Sequence, residues 1–172
     1  MRTDRTWTIG EVAHATGVQR PTLLSWTQRG HLQFLDERRP GEFREFDTSA
    51  VAYTAAFAVL ADYGSAMDAA RIMERATNRQ GAYWQKAIAA AVDGTRVNLL
   101  VKKYRYNGVL ELDAEVQIGP GLEAQRDAFA NATRSGVRLS GNINISEAAS
   151  DPVMVIDIGG AIAGALKVLP SA

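Results

Sequence analysis

Trp7-Thr8-Ile9-Gly10-Glu11-Val12-Ala13-His14-Ala15-Thr16-Gly17-Val18-Gln19-Arg20-Pro21-Thr22-Leu23-Leu24-Ser25-Trp26 is the stretch that decides the fold. Thr8 and Glu11 stand at the spacing of a capping box, in which the Thr hydroxyl accepts from a free backbone amide and the Glu carboxylate reaches back. A helix is therefore predicted from Ile9 to near Ala15, with Ile9, Val12 and Ala13 at helical spacing. Gly17 supplies the permissive backbone for a sharp turn. Pro21 fits the first turn of a second helix, where its missing amide would be unpaired anyway, and Leu23, Leu24 and Trp26 give that helix apolar anchors before Gly30 ends it.

Downstream, His31 to Phe46 alternates apolar and polar residues about Arg39-Pro40-Gly41, as a short exposed hairpin would. Ala50 to Tyr63 is nearly all apolar and is predicted to be a helix buried on most sides. Gly64 then ends it, and Ser65-Ala66-Met67-Asp68 caps the next. Two helices about a tight link, a basic hairpin and two further helices are the order of a winged helix-turn-helix. In such a unit one helix fits the major groove of DNA while the ribbon grips neighbouring phosphates.

The polar break Thr77-Asn78-Arg79-Gln80-Gly81 marks an expected domain boundary, after which Tyr83 to Val92 resumes a helical pattern. The expected division is residues 1–77 for the winged-helix domain, 78–94 for a linker helix and 95–172 for an α+β domain. Beyond Asp93-Gly94 the pattern has period two, and Asn107-Gly108 suits a type I′ hairpin turn. Folding about it sets Tyr106 opposite Val109, Tyr104 opposite Glu111, Lys102 opposite Asp113 and Leu99 opposite Val116. Val97, Leu99, Val101, Leu110, Leu112, Ala114, Val116 and Ile118 then share a core-facing side, and the basic-aromatic run Lys102 to Tyr106 faces Glu111, Asp113 and Glu115 on a side expected to be solvated. Leu122 to Thr133 reads as helix, Val137 to Ile145 as extended, Val153 to Ile158 as a buried strand and Ala161 to Val168 as a short helix. The chain as a whole is expected to be α+β.

Length and composition bound the function. The 172 residues are 47% hydrophobic and 22% charged, enough for one or two small cores, and two compact units are expected. Net charge is +0, so any grip on phosphate must come from a local arrangement of Arg and Lys. With no Cys and two isolated His, neither a thiolate centre nor any other metal site is expected, and no cofactor is implied. No N-terminal apolar stretch resembles a signal peptide, and the late run from Val153 to Leu169 is interrupted by Asp157, three Gly and Lys167, so a soluble, cytoplasmic protein with no membrane partner is expected. No nucleophile, base and orienting group assemble by spacing, so an enzyme is not expected. Gly159-Gly160 follows a strand and precedes a helix, a setting where amides can bind phosphate, but neither a following Lys-Ser/Thr nor a full glycine fingerprint is present. Close strand-to-helix packing is the expectation there.

Trp7-Thr8-Ile9-Gly10-Glu11-Val12-Ala13, Thr16-Gly17-Val18, Thr22-Leu23, Trp26, Gly30 and Phe43-Arg44-Glu45-Phe46, with Tyr63-Gly64-Ser65 further on, resemble the MerR-type winged-helix family over the first two fifths of the chain. The resemblance implies that the second helix enters the major groove and the wing Arg contacts the backbone. Thr8, Gln19, Arg20, Thr22, Ser25, Trp26, Arg39 and Arg44 form the candidate DNA-binding set, with Trp26 chiefly a core residue. Arg, Gln and hydroxyl side chains carry the chemistry for base edges and phosphates. The chain departs from the family at Leu24 and Ser25, where an Arg and an aromatic often follow Thr-Leu. It also lacks the long dimerisation helix, so activation by promoter distortion does not carry over.

The expectation is a bacterial or phage-type transcriptional regulator that reads double-stranded DNA, as a homodimer because one small net-neutral head binds weakly. Its C-terminal part would serve self-association or sensing of a small-molecule or protein effector. The alternatives are a phage-type architectural or packaging protein, excisionase-like or small terminase-like, and a small-molecule-binding domain under a DNA-binding head.

Overall fold

In a computed structural model the described residues are 6–32, 45–78, 81–106, 109–120 and 153–169. The chain is α+β: six helices and two small antiparallel sheets are formed by these residues. The first sheet pairs β1 (Trp7–Thr8) with β2 (Glu45–Phe46). Between them in sequence lie α1 (Ile9–Thr16) and α2 (Arg20–Gln28). After β2 come α3 (Thr48–Tyr63), α4 (Ala66–Asn78) and α5 (Gly81–Val92). The second sheet has the order β4-β3-β5, from β3 (Val97–Tyr106), β4 (Val109–Ile118) and β5 (Met154–Asp157), and α6 (Gly159–Val168) follows.

α3 is the hub. Asp47 caps it by accepting from the Ala50 amide at 2.7 Å, and every residue from Ala50 to Phe57 is buried. Such a helix can lie only at the centre of the molecule, because apolar surface on all sides must be covered. α1, α4, α5 and α6 all pack on it. Thr54, the polar residue in this run, donates its hydroxyl to the Ala50 carbonyl at 2.7 Å, so its burial leaves no unmade hydrogen bond. Ser65 starts α4 by accepting from the Asp68 amide at 3.1 Å, as the sequence indicated.

The β3–β4 register is the one expected from Asn107-Gly108: Tyr106 pairs with Val109, Tyr104 with Glu111, Lys102 with Asp113 and Leu99 with Val116. Val97, Leu99, Val101, Ala114 and Val116 are buried on the side where α4, α5 and α6 lie. The opposite side corrects the reading. Asn98, Lys102, Asp113 and Gln117 are buried rather than solvated, Lys102 with only 1% of its surface exposed. Asn98 Nδ2 donates to Gln117 Oε1 at 3.0 Å, and Gln117 Nε2 to the Gly119 carbonyl at 2.9 Å, so much of this polar strip satisfies itself.

The division of the chain also differs from the expected two units. One continuous core takes in Val12 and Leu23 at one end and Ile158, Ile162 and Ala165 at the other. α6 packs against α1 and α3 as well as β3, and the expected linker helix, α5, buries Trp84, Ala87, Ile88 and Ala91. α4 ends at Asn78, α5 begins at Gly81 and the two helices pack against each other; composition alone could not separate that from an interdomain link. β5 falls within the strand expected at Val153 to Ile158, but Met154 and Val155 are exposed rather than buried. The elements expected at Leu122 to Thr133 and Val137 to Ile145 lie outside the described residues.

Candidate nucleic-acid interface

The start of α1 is fixed by Thr8 and Glu11. The Thr8 hydroxyl accepts from the Glu11 amide at 3.4 Å, and the Glu11 carboxylate accepts from the Thr8 amide at 2.7 Å and its hydroxyl at 2.9 Å. Such a cap is worth roughly 1 kcal/mol. It also occupies the Thr8 hydroxyl, which makes Thr8 a builder of the helix pair. At the other end of α1, Gly17 has φ 70, a left-handed conformation that costs a side-chain-bearing residue about 1–2 kcal/mol. The chain then re-enters a helix at Arg20 with Pro21 in its first turn.

Two positions fix the roll of α2. Leu23 and Thr27 are buried, one turn apart, and Trp26 meets Phe57 of α3 edge-on with ring centroids 4.8 Å apart. The opposite face is therefore offered outward: Arg20, Pro21, Leu24 and Gln28 are exposed, as are Gln19 before the helix and Arg29 after it. Leu24, at 40% exposure, is a large apolar side chain held in solvent between two polar neighbours on the same stripe. Gln19 makes no side-chain cap to α2, so the first-turn amides keep their partial positive charge for an outside acceptor.

Besides Thr8, which sits at the start of α1, the expected site residues divide into three groups. Gln19 and Arg20 are brought together at the exposed start of α2. Thr22, Ser25 and Trp26 are half-buried, with Thr22 and Trp26 turned to the flank of α2 beside α6. Arg39 and Arg44 lie outside the described residues, as does most of the expected hairpin. Its two ends are held: Leu32 and Phe46 are buried, and Glu45–Phe46 pairs with the strand that leads into α1. Leu24, Gln28 and Arg29 were not among the expected contacts. Leu24 and Gln28 stand four and eight residues on from Arg20, the helical spacing that places all three on one exposed stripe.

Gly159-Gly160 is a packing junction. A Cβ at Gly159 would lie 2.9 Å from the Val97 amide nitrogen, and the Gly159 amide already donates to Asp157 Oδ1 at 3.0 Å. A carboxylate of the chain thus sits where a phosphate would have to bind. Among the described residues no three His, Asp or Glu side chains are grouped to hold a metal, and no helix is long and apolar enough to cross a membrane. No family model matches the chain, and no curated protein matches it.

Proposed function

We propose that the protein is a sequence-specific DNA-binding regulator that reads the major groove with α2, in the manner of the MerR-type winged helix-turn-helix proteins its first part resembles. The observation that carries this reading is the outward stripe of α2, with Gln19, Arg20, Leu24, Gln28 and Arg29 exposed on a helix whose back is locked by Leu23, Thr27 and Trp26. Arg20 and Gln28 supply bidentate chemistry for guanine and adenine, Leu24 supplies an apolar contact for a thymine methyl, and the uncapped start of α2 suits a phosphate. Arg39 and Arg44 are the backbone contacts in this reading. A helix of nine residues on a net-neutral chain makes few phosphate contacts, so two copies are required for useful affinity.

Genome-wide occupancy of the intact protein tests the proposal. A discrete set of sites sharing a repeated half-site supports it. Uniform coating of DNA, the behaviour of an architectural or packaging protein, or no occupancy at all, counts against it.

A further inference from the structure

A cavity of about 580 Å³ opens where the α1–α2 turn, α2, α3 and α6 meet. Its wall includes Gly17 of the turn, Thr22 and Trp26 of α2, Asp62 near the end of α3, and Gly160 and Gly164 of α6. The volume falls in the range of small-molecule sites.

Three features on this wall point to one chemical class of ligand. First, a Cβ at Gly160 or Gly164 would meet nothing within 4 Å, in contrast to the tightly packed Gly159. Glycine is unfavourable inside a helix compared with alanine, and here no close approach of backbone requires it. Both glycines leave space in the cavity that any side chain would fill. Second, Asp62 is the single charged residue of the wall, and it makes no ion pair among the described residues. A phosphate or carboxylate ligand would find no cation in the wall and one repelling carboxylate; an ammonium group would find a counter-ion. Third, Trp26 is half-buried and supplies aromatic surface beside otherwise small walls, which suits a flat ring or a cation over the indole.

We propose that this cavity is a binding site for a small aromatic organic cation, with the ammonium at Asp62 and the ring against Trp26 in the space left by Gly160 and Gly164. The site requires no DNA, so it stands or falls independently of the role given to α2.

The test is calorimetric titration of the full chain with 2-phenylethylammonium, tryptammonium and 1-naphthylmethylammonium, and with the neutral alcohol 1-naphthylmethanol. Saturable one-to-one binding of at least one ammonium is expected. The naphthyl ammonium should bind at least tenfold more tightly than its alcohol, and Asp62→Asn should remove that preference. Gly164→Leu, which fills the cavity, should abolish binding. Failure of all three ammonium compounds to bind, equal affinity for ammonium and alcohol, or unchanged binding by Asp62→Asn would overturn the proposal. Because Asp62 is exposed, that variant keeps the fold and remains informative even if Gly164→Leu does not.

Discussion

Trp26 of α2 and Phe57 of α3 meet edge to face with ring centroids 4.8 Å apart, and this contact ties the outward helix to the buried hub of the molecule. Phe57 is wholly buried and also stacks with Tyr53 and His31, so one ring holds α2, the segment that leaves it and the centre of α3 together. Phe57→Ala is expected to cost about 3–5 kcal/mol, and Trp26→Ala about 2–3 kcal/mol because Trp26 is only half-buried. Denaturant unfolding monitored by circular dichroism measures both, and a loss below 1 kcal/mol for Phe57→Ala would show that the ring is not the support described.

Lys102 and Asp113 face each other across β3 and β4, and both are buried. Removing one member of such a pair leaves the other charge without compensation, whereas an apolar pair of similar volume does not. Lys102→Met should destabilise by about 3–5 kcal/mol, and adding Asp113→Leu should restore much of that loss. A double-mutant cycle showing independent, additive effects would separate the two residues energetically.

The same strip confers a pH dependence. Burial, and then the charge of Asp113, raises the Glu115 carboxyl above its ordinary value of 4.5. The folded state therefore holds this proton more tightly than the unfolded state, and stability falls as pH rises from the ordinary carboxylate range through the raised value. Glu115→Gln should flatten the stability profile across that window. An unchanged slope in the variant would assign the dependence to other groups.

How far these features could be read from the sequence varies from element to element. Thr8-Ile9-Gly10-Glu11, Asp93-Gly94 and Asn107-Gly108 encode local geometry in a few neighbouring residues, so the start of α1, the end of α5 and the hairpin register were all legible. Burial of Lys102 and Asn98 was not, because alternation of polar and apolar residues reports which residues share a face and does not report what covers each face. The docking of α6 on α1 and α3 was hidden for a related reason: Ala and Gly residues in Ala161-Ile162-Ala163-Gly164-Ala165 fit against any helix and name no partner. In the candidate interface, Gln19 and Arg20 were found from their place at a helix start. Leu24 and Gln28 share the face of Arg20 by helical spacing alone, whereas the exposure of that face rests on the roll of α2, which Leu23 and Thr27 set by their burial.

Adjacent glycines should respond in opposite directions. Gly159→Ala places a methyl group 2.9 Å from the Val97 amide nitrogen and is expected to destabilise by about 1–3 kcal/mol. Gly160→Ala meets open space within the helix and should stabilise by up to about 1 kcal/mol. Thermal melts of the two variants check the contrast, and equal effects would refute the packing described at the start of α6.

Under the proposed DNA-binding function, Arg44→Ala should weaken binding evenly across sequences and lower the salt dependence by about one counterion, as loss of a backbone contact does. Titrations on specific and random duplexes over a range of salt give the slope, and a change confined to one sequence would reassign Arg44 to base reading.

Selection of binding sites from random double-stranded DNA, carried out in parallel with the wild-type chain and with Arg20→Ala, tests the proposed groove-reading role of α2 most directly. The wild-type chain should enrich one discrete motif, and Arg20→Ala should lose preference at a particular base pair of it. Enrichment of the same motif with equal affinity by both proteins, or no enrichment by either, would contradict the assignment of this helix to DNA.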